Sequence, residues 1–487
     1  DIFKKAQEFS HTEYDEFGVS SMITRTTNDP FVILQFTNTL LKMALITPVM
    51  FTISLVMILK TSLSLSLVLA VVIPIIILGV ILIAKTSEPL SEKLQKRLDK
   101  LNRISRENLT GIRVIRAFGN EKYEEKRFDE TNESYAEVAK KLNKLMAISQ
   151  PLFFFLLNIA IIVIFWISSK MINVGTLQVG QLVAFIEYLF HAMFSIMLFS
   201  MVFVMYPKAQ VSANRIMEVL NTEPIIKSPK NGIKDTENKG TIEFENVSFT
   251  YPNGEEPVIK DVSFSGKKGE VIAFIGSTGS GKSTLINLIP RFYDVTKGSI
   301  KIDGVDVRDY DLKYLRKKIG FIPQKTLLFT GSIANNIKFG KKDAEYKEVE
   351  DSAKIAQAYE FISNKPNKFD EIITEGGSNV SGGQKQRLSI ARAIVRKPDI
   401  YIFDDSFSAL DFKTDAILRK ELRSETKDAI VLIVAQRIGS IMDADKIIVL
   451  NEGEVVGIGT HKELIKNCPI YHEIATSQLT EEELANE

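Results

Sequence analysis

The sequence predicts two parts of different fold class: a multi-span α-helical membrane domain, then an α/β domain built on a parallel core sheet. Three observations predict it. Four long runs within the first 206 residues are nearly free of charge. A strand, a glycine-rich loop and a helix start stand together at 269–289. From Thr241 onward, strand-like runs alternate with helical stretches. Length agrees, since 487 residues exceed what one core holds. A net charge of +1 and 45% hydrophobic residues would suit an ordinary soluble chain, but these averages hide an uneven distribution.

The membrane domain is carried by four runs. Residues 43–59 (MALITPVMFTISLVMIL), 63–84 (LSLSLVLAVVIPIIILGVILIA) and 145–169 (LMAISQPLFFFLLNIAIIVIFWISS) hold no charge, and 181–205 holds one acid, Glu187. Each approaches the roughly 20 residues that cross a hydrocarbon layer. Between the second and third runs lies a Lys/Arg-rich stretch, 85–144, whereas the other connections, 60–62 and 171–179, are short and nearly uncharged. The basic stretch therefore belongs on the cytoplasmic side, together with both chain ends. Apolar residues at helical spacing inside it predict two long helical arms with NLTGIRVIRAF (108–118) near their tip.

Tyr206-Pro207 is expected to end the last span, followed by an amphipathic segment and a polar linker. The boundaries are then 1–206 for the membrane domain, 207–240 for the linker and 241–487 for the α/β domain. Expected strands include TIEFENVSFTY, GEVIAFIG, GSIKIDG, KIGFIPQ, IYIFDD and AIVLIVAQ, with helices at 282–289 and 383–396. A single cysteine, Cys468, excludes an internal disulfide framework. The balanced charge gives nucleic-acid binding no support. His11, His461 and His472 read as surface residues, and Trp166 as an interfacial anchor. Glu187 and His191, one turn apart in the last span, form a candidate substrate or proton site, because ionisable groups at membrane depth commonly face a cavity.

The chemistry is concentrated in three motifs. Gly276-Ser277-Thr278-Gly279-Ser280-Gly281-Lys282-Ser283-Thr284 fits the spacing G-x-x-x-x-G-K-S/T, a P-loop, with the required strand before it and helix after it. Its glycines let backbone N–H groups curl around phosphates, Lys282 reaches the β- and γ-phosphates, and the Ser283 hydroxyl is a Mg²⁺ ligand. Asp404 ends the apolar run IYIF, where a carboxylate can hold the same Mg²⁺. Ser381-Gly382-Gly383 opens a second anion-binding helix start, which has no nucleotide of its own and so predicts a nucleotide shared across a dimer.

With these motifs in this order, the chain resembles the ATP-binding cassette (ABC) transporters, in the exporter class that fuses a membrane domain to its ATPase domain. The resemblance implies that Tyr251 stacks on adenine and that Gln324, in FIPQKTLLF, is the Q-loop residue that senses the γ-phosphate and joins Ser283 and Asp404 around Mg²⁺. It implies that Val380-Ser381-Gly382-Gly383-Gln384 is the signature segment, reading VSGGQ where LSGGQ is commonest, and that SALD (408–411) is the D-loop with Asp411. EYDEFGVSSMITRTTND (13–29) resembles the first cytoplasmic loop, and 108–124 resembles the second coupling region, which docks on the partner's ATPase domain. The four runs correspond to spans three to six of a six-span half-transporter, so two spans are expected upstream.

Two departures fall together. Hydrolysing members place Glu directly after the Walker B aspartate, which Asp404 resembles; here that next residue is Asp405, one methylene shorter. The switch histidine is replaced by Gln436, which donates a hydrogen bond but carries no proton. The pairing resembles the degenerate-site subunit of heterodimeric bacterial multidrug-type exporters. It implies ATP-driven export of small amphipathic molecules, with ATP and Mg²⁺ bound, across a bacterial plasma membrane with the ATPase domain in the cytoplasm. Alternatives are a regulatory ATP-binding membrane subunit that does no pumping, and a homodimeric exporter with a slow ATPase.

Overall fold

The computed structural model of the chain describes residues 1–236, 240–252 and 254–479. Its Cα positions fall into two units, Arg25–Met217 and Asp1–Thr24 with Glu218–Glu487. The first 24 residues group by contact with the α/β part.

In the unit Arg25–Met217, four helices carry the four apolar runs: Val19–Thr61, Leu63–Thr110, Glu121–Asn173 and Val179–Asn221. A helix satisfies every backbone N–H and C=O internally, which is what a span in hydrocarbon requires. One side of the bundle is packed, with Ile58, Leu65, Ile164, Phe185 and Leu189 fully buried. Leu45, Leu67, Leu78 and Ile162 point outward and are exposed. That arrangement would be costly in water and is ordinary where the solvent is lipid. The basic stretch forms the two expected arms, one ending at Thr110 and the other starting at Glu121. The short helix Ile112–Phe118 lies between them, closed by Gly119 in a left-handed conformation (φ 63°). Arg127 reaches across from one arm to Glu107 on the other at 2.6 Å.

Pro207 does not break the last helix, which runs unbroken from Val179 to Asn221. Proline removes one backbone hydrogen bond, but buried Ala209, Ser212 and Val219 hold the continuation in place. The first part of the expected linker is therefore helical; its residues 237–239 lie outside the described residues.

The second unit is built on a six-stranded sheet in the order 454–459, 446–451, 271–276, 430–434, 400–404, 319–322. Every neighbouring pair is parallel except the antiparallel edge pair 446–451 and 454–459. Ile400–Asp404 and Ile430–Val434 are buried at every position, as central parallel strands covered on both faces must be. One face is covered by helices including Gly382–Ile394 and Phe412–Glu425. The other face packs against helix Lys282–Leu288 and an antiparallel sheet of four strands. That second sheet includes Ile259–Lys267, which the sequence reading did not single out. Its apolar residues alternate with polar ones, and only one face of it is buried.

Near the chain start, helix His11–Phe17 rests against this unit. Buried Glu13 accepts hydrogen bonds from the Ser10 N–H and hydroxyl and from the Ile225 N–H. The His11 ring lies 4.6 Å from that of Phe292. His461 corrects its surface assignment: it is 4% exposed, with Nδ1 2.6 Å from the Tyr471 hydroxyl. The sequence offered no sign of this, because the burying partner sits on a separate helix, Pro469–Thr476. His472 is exposed.

Candidate nucleotide site

Four strands of the parallel sheet deliver the site at one edge. Val434 pairs with Phe274 on one side and Asp404 on the other, and Phe403 pairs with Ile322. The chain then leaves each strand at the same end: into the glycine-rich loop after Ile275, into Asp404-Asp405, towards Gln436 and towards Gln324. Parallel sheets bind ligands at this carboxyl edge, where strand ends and helix starts converge.

The glycines are there for stereochemical reasons. At Gly276 (φ 156°) a Cβ would come within 2.0 Å of the Leu450 carbonyl oxygen, and at Gly281 (φ 94°) within 2.6 Å of the Ile259 side chain. Gly281 opens helix Lys282–Leu288. Lys282 is largely buried and donates to the Gly276 carbonyl at 2.9 Å, the Ser277 carbonyl at 2.7 Å and the Ser280 hydroxyl at 3.2 Å. Its three ammonium hydrogens are thus held by the loop that is to receive phosphates, and phosphate oxygens would replace those acceptors. Burial lowers the Lys282 pKa, opposed by the charges of Asp405 and Asp404. The Tyr251 hydroxyl lies 3.0 Å from Thr284 Oγ1, and its ring meets Phe249 and Tyr293 edge-on.

Ser283 donates its hydroxyl to Asp404 Oδ1 at 2.8 Å. A hydroxyl and a carboxylate side by side are hard oxygen donors of the kind Mg²⁺ takes, so the residues present fit that ion. Asp404 is 7% exposed and burial raises its carboxyl pKa, partly offset by Ser283. Asp405 is 9% exposed and adopts a left-handed backbone (φ 48°), pinned by its N–H to the Val434 carbonyl at 3.0 Å. Its Oδ2 accepts from Gln436 Nε2 at 2.8 Å and from Gln324 Nε2 at 3.2 Å. Burial raises the Asp405 pKa too, against the hydrogen bond from Gln324. The two departures from the expected pattern are therefore one interaction: the shorter acid is grasped by the longer amide.

The remaining motif residues stand elsewhere in the same unit. Ser381 caps helix Gly382–Ile394, accepting from the Gln384 N–H while the Gln384 side chain returns to the Ser381 N–H. Ser381 and Gly382 are exposed and Val380 is buried beneath them. Asp411 caps the next helix through the Thr414 N–H and hydroxyl, and these bonds hold its carboxyl below the usual range. Sequence reasoning missed one link. Thr326, two residues past Gln324, donates to buried Gln386 of the signature helix at 2.5 Å. Its partner is 60 residues away, so no local pattern could have announced it.

Residues 1–205 match the family described as ABC transporter transmembrane region, and 259–408 match that described as ABC transporter. YfiB, an ABC transporter ATP-binding protein of Bacillus subtilis, is 40% identical over 99% of this chain and 83% of its own length. The chain is an ABC transporter. As an ABC transporter it also resembles a putative multidrug export ATP-binding/permease protein of Staphylococcus aureus, 37% identical over 76% of this chain and 64% of that protein. A bacterial Atm1-family ABC exporter solved with ATP bound superposes with a TM-score of 0.82 at 26% identity, covering 99% of this chain and 84% of that one. The transporter thus has the exporter architecture, a helical transmembrane domain fused to a nucleotide-binding domain, and relatives in bacteria.

Proposed function

We propose that this transporter is one half of a heterodimeric exporter of small amphipathic molecules, whose own ATP site turns over slowly. The carrying observation is the Asp405–Gln436 hydrogen bond, which occupies the acid where a hydrolysing site needs a free base. In this reading Tyr251 stacks on adenine, residues 276–284 cradle the phosphates, and Ser283, Asp404 and Gln324 would hold Mg²⁺. When bound, the ion neutralises phosphate charge. Asp405 orients a water and accepts its proton weakly, because both the carboxylate reach and the donors on Oδ2 hold it back from the nucleophile. Val380, Ser381, Gly382, Gly383 and Gln384, with Asp411, complete the partner's site. The cap geometry supports that role, since the helix start at Ser381 and Gly382 is exposed and the first N–H groups of a helix have no carbonyl acceptor within it. The multidrug description of the Staphylococcus relative supports the substrate class. The multi-pass membrane fold supports a plasma-membrane location.

The same hydrogen bond favours a second reading. A shorter acid matched to a longer donor is also how a competent pair would be rebuilt, and a homodimer with a slow ATPase would follow. Purifying the transporter alone and with its candidate partner decides between them. The heterodimer reading expects weak hydrolysis alone and strong hydrolysis together, lost on replacing the partner's glutamate and only partly reduced by Asp405→Ala. Strong hydrolysis by this chain alone would overturn it.

A further inference from the structure

Two neighbouring strands of the parallel sheet, Ile319–Ile322 and Ile400–Asp404, pair in register at Ile319 and Ile400. Their carboxyl ends lead to Gln324 and to Asp404-Asp405 in the nucleotide site. Their amino ends bring together two arginines, Arg316 three residues before one strand and Arg396 four residues before the other. Each guanidinium is fixed by main-chain carbonyls. Arg316 donates Nε to Pro290 and Nη2 to Arg291, both at 3.1 Å, and Arg396 donates Nε to Lys317 at 3.1 Å and Nη2 to Arg316 at 2.7 Å. Among the described residues neither Nη1 group has an acceptor and no carboxylate pairs with either arginine. Desolvation lowers the pKa of both, the Arg291 charge lowers that of Arg316 further, and no acid raises either. A guanidinium drawn partly out of water without a counter-ion is costly, so the fold leaves positive charge uncompensated here.

Both arginines line a cavity of about 670 Å³, large enough for a metabolite-sized ligand. Its other walls are the linker segment 223–228, the helix Ile2–Glu8 and the start of helix Leu312–Lys317, all in the same unit of the fold. Five cations and two acids line it, a surplus of three positive charges. One of the acids, Glu223, is already paired with Lys227. Lys313 is exposed and has no ion pair among the described residues. Such a surplus attracts an anion. Guanidinium forks with an ammonium suit phosphate best, because a phosphate group offers three acceptor oxygens and up to two charges, where a carboxylate offers two oxygens and one charge. We propose that this cavity binds a small soluble organic phosphate of two or more negative charges, held by Arg316, Arg396 and Lys313. The site lies at the opposite end of the strands from the P-loop, and it stands apart from the export and slow-site readings.

The test titrates the assembled full transporter in phosphatidylcholine nanodiscs with fructose 1,6-bisphosphate by calorimetry, after the P-loop has been filled with a non-hydrolysable ATP analogue. Fructose and citrate serve as the neutral and the carboxylate controls. The bisphosphate should bind, fructose should not, and citrate should bind about tenfold more weakly than the bisphosphate. Lys313→Glu is expected to weaken bisphosphate binding by about tenfold, the loss of one charge-assisted hydrogen bond. Among the described residues the Lys313 side chain makes no hydrogen bond, so this variant separates binding from folding. Arg396→Gln should weaken bisphosphate binding by about tenfold as well, with binding of the ATP analogue unchanged. No bisphosphate binding by the wild type, or equal binding by the wild type and Lys313→Glu, would overturn the proposal. Citrate bound as tightly as the bisphosphate would overturn the phosphate assignment. Loss of bisphosphate binding in discs that contain phosphatidylglycerol would overturn the soluble ligand, because a lipid headgroup would then fill the cavity.

Discussion

Asp405→Glu tests the slow-site reading most directly. The substitution adds one C–C bond, extending the carboxylate by about 1.5 Å. A displacement of about 1 Å at a reacting group changes rates by about a hundredfold, equivalent to about 2.7 kcal/mol of barrier. Two structural terms act against it. Residue 405 has φ 48°, a conformation Asp tolerates better than Glu, and the strain is about 1 kcal/mol. That strain acts on folding and leaves the barrier nearly untouched. The second term is the bond from Gln436 at 2.8 Å, which a longer acid must displace at a cost of about 1 kcal/mol. The barrier gain wins, so the single variant should hydrolyse about tenfold faster. Asp405→Glu with Gln436→His, which removes the competing amide, should approach a hundredfold. The assay is phosphate release by the assembled transporter with the partner's catalytic glutamate replaced, so that only this site reports. If Asp405→Glu slows release instead, Asp405 and Gln436 are a matched catalytic pair and the slow-site reading is wrong.

Three further outcomes follow from the same geometry. Ser381→Ala removes a helix cap worth about 1 kcal/mol and should depress hydrolysis at the partner's site while nucleotide still binds to this chain, read by fluorescent ATP-analogue binding beside phosphate release. Asp303→Asn should destabilise the ATP-binding unit by about 1–3 kcal/mol in denaturant unfolding. It removes one of the two carboxylates that hold buried Lys318, the one at 2.7 Å that also accepts from the Gly240 N–H at 2.6 Å and the Thr241 N–H at 3.2 Å, and leaves Asp399 at 3.1 Å. The third outcome concerns pH. Burial raises the Asp404 pKa above its ordinary 3.8, so the folded site holds its proton to higher pH than the unfolded chain does. Nucleotide-free stability then falls as pH rises from the ordinary value through the raised one, and stays lower above it. Asp404→Asn should flatten this part of the stability–pH curve, and an unchanged curve in thermal unfolding would refute the assignment.

Local signals carried much of this protein. Uncharged runs near bilayer length announced four helices, because hydrocarbon tolerates no charge and no open backbone over that distance. The P-loop was legible from its spacing, since few residues but glycine fit where a Cβ would strike the Leu450 carbonyl. The strand 400–404 was legible from its unbroken apolar run, and the capping serine from the helix start that follows it. What stayed hidden was pairwise. The strand Ile259–Lys267 depends on a neighbour to bury its alternate residues. The passage of the last helix through Pro207 depends on side chains packed around Ala209 and Val219. The sequence by itself determined that Asp405 and Gln436 depart from the expected residues. Only the tertiary structure decided that they touch, because parallel pairing sets strands 400–404 and 430–434 in register and carries both chains out at the same edge. Likewise the outward turn of Glu187 follows from which face of its helix the bundle buries, and composition alone cannot specify that.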